Sequence, residues 1–172
     1  AEASLGSDSA SASSSMIQTV ALMSASSSDG ASLPTTKPFV VALDPGHGGY
    51  DSGATGYGMY EKDINWKIAV ACKEQLETYT GVQVVMTRNE DESVELSERV
   101  QRAVDASARV FVSIHNNASN GAGHGSEVYY PNNSSWRNSE THVPGKKLAS
   151  LIQGKLTALG LTDRGIKVRD SE

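Results

Sequence analysis

The chain has 172 residues, a formal net charge of −5 from 15 Lys and Arg against 20 Asp and Glu, 38% hydrophobic residues and a single cysteine. One ordinary domain fits that length, and mild acidity without any Lys/Arg cluster argues against a nucleic-acid partner. No apolar run approaches the ~20 residues that cross a bilayer, and a lone Cys72 makes neither an intrachain disulfide nor a cysteine zinc finger, so any metal must be held by His and carboxylate.

Residues 1–36 hold 12 Ser and 7 Ala, with Glu2, Asp8 and Asp29 as the only charges. So little apolar surface does not offset the entropy of ordering a chain. Residues 1–37 therefore read as a flexible Ser/Ala-rich leader or linker and residues 38–172 as the folded domain, with Pro34 and Pro38 at the boundary. Ala1-Glu2-Ala3 lacks the basic and apolar regions of a signal peptide; a stretch left after cleavage and a cloning remnant both stay open.

Strand-like and helix-like segments then alternate. Phe39 to Leu43 is an apolar, β-branched run stopped by Asp44-Pro45-Gly46, a buried strand entering a loop. From Glu61 the pattern is helical, with Ile64, Ile68, Ala71, Cys72, Gln75, Leu76 and Tyr79 as its stripe, and Cys72 as core packing. After Gly81, Val82 to Thr87 reads as a second strand. Leu96, Val100, Ala103 and Val104 share a helical face, with Ser97 as N-cap. Val110 to Ile114 is a third strand, and Glu127 to Tyr130 a fourth, ended by Pro131. Leu148, Leu151, Ile152, Leu156 and Leu159 stripe a last helix, with Pro144 near its start and Gly160 past its end. Ile166 to Val168 suggests a final strand. The alternation predicts an α/β single domain: a largely parallel twisted sheet flanked by helices on both faces.

The chemistry begins at Asp44-Pro45-Gly46-His47-Gly48-Gly49. A histidine after a buried strand sits at the carboxyl end of the sheet, where α/β sites gather, and the glycines leave it unshielded. On the hexapeptide alone, a Gly-rich turn carrying a surface histidine serves equally well. His115, in Ser113-Ile114-His115-Asn116-Asn117, follows another buried strand, and Glu61 opens the first long helix. Right-handed crossovers bring parallel strand exits to one sheet edge, so His47 and His115 can converge there and Glu61 can join them. Two His and one Glu with a fourth position open to water is the ligand set of a catalytic zinc site, and too sparse for calcium.

Over roughly residues 39–169 the chain resembles the zinc-dependent N-acetylmuramoyl-L-alanine amidases of bacterial cell-wall turnover, the group that opens with a DPGHGG motif. The resemblance rests on that motif followed by Asp51 and Gly53, on Glu61-Lys62-Asp63-Ile64-Asn65, and on Thr87-Arg88, Leu96 and Arg99. It continues through Val112 to Ala118 and ends near Asp163-Arg164-Gly165-Ile166-Lys167. It implies one zinc ion bound by His47, Glu61 and His115 on an α/β fold with a six-stranded sheet. It implies as substrate the amide joining the lactyl group of N-acetylmuramic acid to L-alanine in peptidoglycan, and hence a secreted or wall-associated protein. Asn117 is read as substrate-binding.

The family's proton-shuttling glutamate lies in a later strand followed by a GFLSN-like segment; it is expected beyond Glu172, with that last strand and helix. Among carboxylates within the chain, Glu127 is the weak candidate, on a predicted strand; Glu140 reads as a solvated charge and Glu172 as terminal. His124 and His142 read as loop histidines, with residues 134–144 as a rim or lid over the site. The alternatives to an amidase are a zinc-holding, catalytically silent cell-wall-binding module and a plain α/β interaction domain.

Overall fold

A computed structural model describes residues 37–117, 123–131 and 145–169. The expected leader, Glu140, His142, the 134–144 rim and Glu172 lie outside the described residues. In chain order the elements are β1 (Phe39–Pro45), β2 (Thr55–Gly56), β3 (Met59–Tyr60), α1 (Glu61–Leu76), β4 (Val82–Met86), α2 (Leu96–Asp105), β5 (Val110–Ile114), β6 (Ser126–Pro131), α3 (Gly145–Ala158) and β7 (Asp163–Arg169).

β1 is the central strand, buried along almost its whole length as its unbroken apolar run requires. It pairs in parallel with β4, Val41 opposite Val84, and with β5, Leu43 opposite Val112. Val41, Leu43, Cys72 and Val84 form the core, with Ile68, Leu76 and Met86 packed against it. The parallel α/β reading therefore holds, as does the packing role of Cys72, whose thiol burial pushes up to about 11.

The implied six-stranded sheet is met only in pieces. Among the described residues, β4-β1-β5 form one three-stranded sheet, β6 and β7 a separate parallel pair, and β2 and β3 an antiparallel hairpin. α3 packs on β6 and β7, and α1 on β1 and β4.

The three helical stripes are met in part: Ile68, Cys72 and Leu76 of α1, Ala103 of α2 and Ile152 and Leu156 of α3 face inward as expected, and the rest of each stripe differs. α1 buries Glu61, Asn65, Ala69 and Cys72, while Ala71, Gln75 and Tyr79 are exposed. α3 buries Ala149, Ile152, Gln153 and Leu156 and leaves Leu151 and Leu159 exposed. In α2 the contrast is largest: Arg99 and Ala103 are buried, whereas Leu96 is 80% exposed and Val100 and Val104 also face out. Ser97 is not the N-cap; Glu95 holds that position without a side-chain cap bond. The cause in α1 and α2 is polar: Glu61, Asn65 and Arg99 have partners inside, and satisfying those groups outweighs the burial of a few methyls.

Candidate metal centre

The loop leaving β1 is fixed by two buried arginines. Arg88 donates to the carbonyls of Pro45 (2.7 Å) and Gly46 (3.2 Å), and Arg99 to those of Pro45 (3.0 Å) and His47 (2.7 Å). Arg99 also pairs with Asp44 at 2.9 Å, and the same carboxylate accepts from the hydroxyls of Thr87 and Ser113. Carbonyls that a turning backbone would otherwise bury unpaired are thus satisfied by planar, multidentate donors. The loop is held tightly enough for His47 to keep a left-handed φ of 61°.

That loop aims His47 at Glu61. His47 Nε2 lies 3.2 Å from Glu61 Oε2, and His115 Nδ1 lies 3.2 Å from Glu61 Oε1. The imidazoles meet edge to face, centroids 4.9 Å apart. One ligand atom from each of the three residues falls within 4.8 Å of the others, a group able to hold a metal ion. Four ligands at about 2.1 Å from a tetrahedral ion stand roughly 3.4 Å from one another, so the 3.2 Å separations fit a common ion. The sequence-predicted triad is brought together, at the carboxyl ends of β1 and β5 where crossover topology places it.

Glu61 is 5% exposed. Burial pushes its carboxyl up, but the contact with His115, the backbone N–H groups of Ala54 (2.9 Å) and Asn116 (2.8 Å), and the His47 ring outweigh that and hold it at about 2. It is therefore an anion at any physiological pH, as a ligand must be.

The residues around the triad orient it. Asp51 Oδ2 takes His47 Nδ1 at 2.8 Å, leaving Nε2 for the ion; that contact, with the Gly53 N–H, holds the Asp51 carboxyl below its usual range. Asn65, one turn after Glu61, donates to the Gly46 carbonyl and accepts from Asn116 at 2.8 Å. A Cβ on Gly46 would lie 2.2 Å from the His115 ring, and one on Gly53 2.5 Å from the His47 ring, so both glycines are spaces the imidazoles fill. Sequence reasoning gave Asp51 and Asn65 no role; for Asn65 the i to i+4 spacing from Glu61 on one helix was an available signal, whereas the His47–Asp51 contact is made by a non-helical loop whose path the spacing does not report.

The triad opens onto a cleft of about 870 Å³ between β5 and β6, floored by Leu148, Ala149, Ile152 and Leu156 of α3. Asn117 is exposed and lines it beside His115. Glu127 also lines it, buried at 8% exposure, but accepts from Tyr129 (3.0 Å), Arg164 (3.1 Å) and Lys167, which hold its carboxyl below the ordinary range, Lys167 foremost. His124 is exposed, ahead of β6.

A family model described as N-acetylmuramoyl-L-alanine amidase matches residues 41–171. N-acetylmuramoyl-L-alanine amidase LytC of Bacillus subtilis is 43% identical over 129 residues, which are 74% of this chain and 25% of that protein. The endolysin of Bacillus phage SPP1 is 42% identical over 132 residues, 76% of this chain and 48% of that protein. The chain thus spans half or less of these two curated relatives. Among solved structures, the catalytic domain of CwlV, an N-acetylmuramoyl-L-alanine amidase from Bacillus (Paenibacillus) polymyxa, superposes with a TM-score of 0.65 at 39% identity, covering 76% of this chain and 69% of that one. The N-acetylmuramoyl-L-alanine amidase of Clostridium difficile 630 gives 0.68 at 33% identity, covering 78% and 72%. With the family match running from within β1 past the end of β7, and relatives above 40% identical over about three quarters of the chain, the chain belongs to the N-acetylmuramoyl-L-alanine amidase family.

Proposed function

We propose that residues 38–172 form the zinc-binding part of an amidase catalytic domain, carried behind the 1–37 linker. It hydrolyses the bond between N-acetylmuramic acid and L-alanine in peptidoglycan, in a secreted or wall-associated protein. His47, Glu61 and His115 bind the zinc. The observation that carries this reading is the convergence of two imidazoles and one carboxylate within 4.8 Å at the mouth of a cleft, in a chain of this family.

A zinc ion held there supplies Lewis acidity at the scissile carbonyl and a water that deprotonates near neutral pH. The chain's own residues do the rest of the positioning. Asp51 fixes the tautomer and tilt of His47. The Ala54 and Asn116 amides keep Glu61 ionised and turned toward the histidines. Asn117 lines the cleft where a substrate polar group would lie.

Expulsion of an amine needs a proton donor, usually the carboxyl that first took the proton from water. Among the described residues the only other carboxylate lining the cleft is Glu127, and its cationic partners make it a poor base. Among the described residues, then, no carboxylate at the cleft is placed to shuttle that proton.

The test is metal content and hydrolysis of purified muropeptides with zinc present, by the full-length protein and by its His47→Ala variant. The expected result is one zinc per chain and liberation of the L-alanine amine by the parent, and loss of both in the variant. Absence of zinc from the parent, or full zinc and full turnover in His47→Ala, would overturn the reading.

A further inference from the structure

The segment between the two ligands His47 and Glu61 carries an unusual surface. Tyr50 is 84% exposed, Tyr57 81%, and Met59 and Tyr60 about half. Large exposed apolar groups concentrated in so short a stretch mark a contact surface.

Tyr57 occupies the tip of the β2–β3 hairpin, with φ of 51° at Tyr57 and 73° at Gly58. Two consecutive positive φ values are what a two-residue type I′ turn demands, and Asn-Gly is its usual pair. A tyrosine there is strained where asparagine or glycine would not be, and its ring touches little of the protein. Strain at an exposed aromatic is an observation that points to function.

The hairpin is rooted on the metal centre. β3 runs directly into Glu61; Glu61 N–H donates to the Ala54 carbonyl, and Ala54 N–H to the Glu61 carboxylate, both at 2.9 Å. Tyr50 is tethered through its N–H to Ser93 Oγ at 3.1 Å. None of these tyrosines lines the β5–β6 cleft, whose wall carries Arg164 and Arg169.

From Ser52 to Tyr60 no residue is charged. Asp51 is engaged by His47, and Lys62 by Asp91 at 2.6 Å and the Gly49 carbonyl at 2.7 Å. Flat rings with hydroxyl edges, beside charges that are already paired within the chain (Asp51 with His47, and Lys62, which also lies 6.0 Å from the Tyr60 ring, with Asp91), suit a ligand that is itself uncharged, with apolar faces and a hydroxyl rim. N-acetylated sugars have that character, and a muramic acid whose lactyl carboxyl is tied up in the amide bears no charge. The stem peptide, by contrast, carries free carboxylates. Only the short lactyl bridge separates the sugar ring from the carbonyl that must reach the metal centre.

We infer that the Tyr50–Tyr60 arm is a glycan-binding subsite, stacking Tyr57 and Tyr50 against the acetamido sugars of the strand being cut. The assignment rests on the amidase reading for the direction from which the sugar arrives.

The test uses the zinc-loaded full-length protein and two probes it cannot cleave: oligomers of N-acetylglucosamine, an uncharged acetamido-sugar glycan, and the free stem peptide L-Ala-γ-D-Glu-L-Lys-D-Ala. Tyr57→Gly and Tyr50→Ala are compared with the parent by calorimetric titration. Zinc content and thermal unfolding are read alongside. Glycine is at home at a φ of 51°, so Tyr57→Gly is expected to fold and to keep its zinc. Each variant is expected to bind the glycan about 3- to 10-fold more weakly, with stem-peptide binding unchanged. Parental glycan affinity in both variants overturns the inference. So does loss of stem-peptide rather than glycan binding, and so does loss only of self-association, which would make a second copy the occupant. Cleavage of a soluble muramoyl-L-alanine amide is followed separately. Tyrosine-dependent glycan binding without zinc or cleavage supports the arm and overturns the amidase reading. Normal cleavage with tyrosine-independent binding does the reverse.

Discussion

Two carboxylates face the same cleft, and they are held in opposite ways. Glu61 and Glu127 are both almost fully buried, at 5% and 8% exposure, and both are kept ionised. Around Glu61 the donors are backbone amides, an asparagine and two imidazoles. None brings a permanent positive charge, so the carboxylate keeps a full charge for an ion. Around Glu127 the donors are Arg164, Lys167 and a tyrosine. That charge is already compensated, and a proton or a metal would have to compete with two cations for it. Burial and a depressed pKa alone do not identify a functional carboxylate; the charge of its neighbours decides what it is free to do.

The sharpest way to break this contrast is to remove each carboxylate in turn and measure metal. Glu61→Gln is expected to lose zinc outright, by well over the about 10- to 100-fold that an outer-shell change costs, with elemental analysis as the readout. His47→Ala behaves alike. Glu127→Gln keeps one zinc per chain. Retention of stoichiometric zinc by Glu61→Gln would remove it from the ligand set.

One step smaller is Asp51→Asn. The amide still reaches His47 but no longer carries the charge that stabilises the ring as a ligand. Zinc affinity is expected to fall by about 10- to 100-fold, measured by competition with a chromophoric chelator. An unchanged affinity would reduce the 2.8 Å contact to a loop tether.

Acid should act through Glu61 even without metal. Its folded pKa, about 2, lies below the ordinary 4.5. A depressed carboxyl contributes stability that is fully present above pH 4.5 and is lost as pH falls from there toward 2. In chelator-treated protein, the urea midpoint of the parent should drop between pH 6 and pH 3 by more than that of Glu61→Gln. Parallel curves would mean that the amide and imidazole contacts do not persist in the metal-free state.

How much of this was legible in the sequence follows from what hydrophobicity can and cannot report. β1 was readable because a fully buried parallel strand is a continuous apolar run; β5, where only Ile114 is fully buried and Phe111 and Ser113 are exposed, was readable from its β-branched and aromatic residues. Their exits were readable because glycine and asparagine follow them, and crossover topology then brought His47 and His115 together. The phase of α1 and α2 was readable only in part, because Glu61, Asn65 and Arg99 face inward to specific partners and a hydrophobic stripe counts them as outward-facing. Arg99 makes the point most sharply. Its bonds to Asp44 and to the carbonyls of Val94, Pro45 and His47 exist only once the β1 loop has folded. The separation of β5 from β6 was equally invisible, since pairing across a sheet depends on which strand edges meet rather than on either strand's own pattern.

The smallest expected effect completes the comparison from the other side. Glu127→Gln leaves the hydroxyl of Tyr129 an acceptor but strips the negative charge from between Arg164 and Lys167. Both cations are more than a third exposed, so water takes over much of their solvation and the loss is modest, about 1 kcal/mol in urea unfolding. If Glu127 is structural, as its partners argue, zinc content stays at one per chain and muropeptide turnover by the full-length protein changes by less than about 3-fold, far short of the 10²- to 10⁴-fold that loss of a proton shuttle costs. Collapse of turnover with zinc and stability intact would reverse the assignment. The two cations would then have to release Glu127 when substrate enters, and the contrast with Glu61 would be one of timing rather than of chemistry.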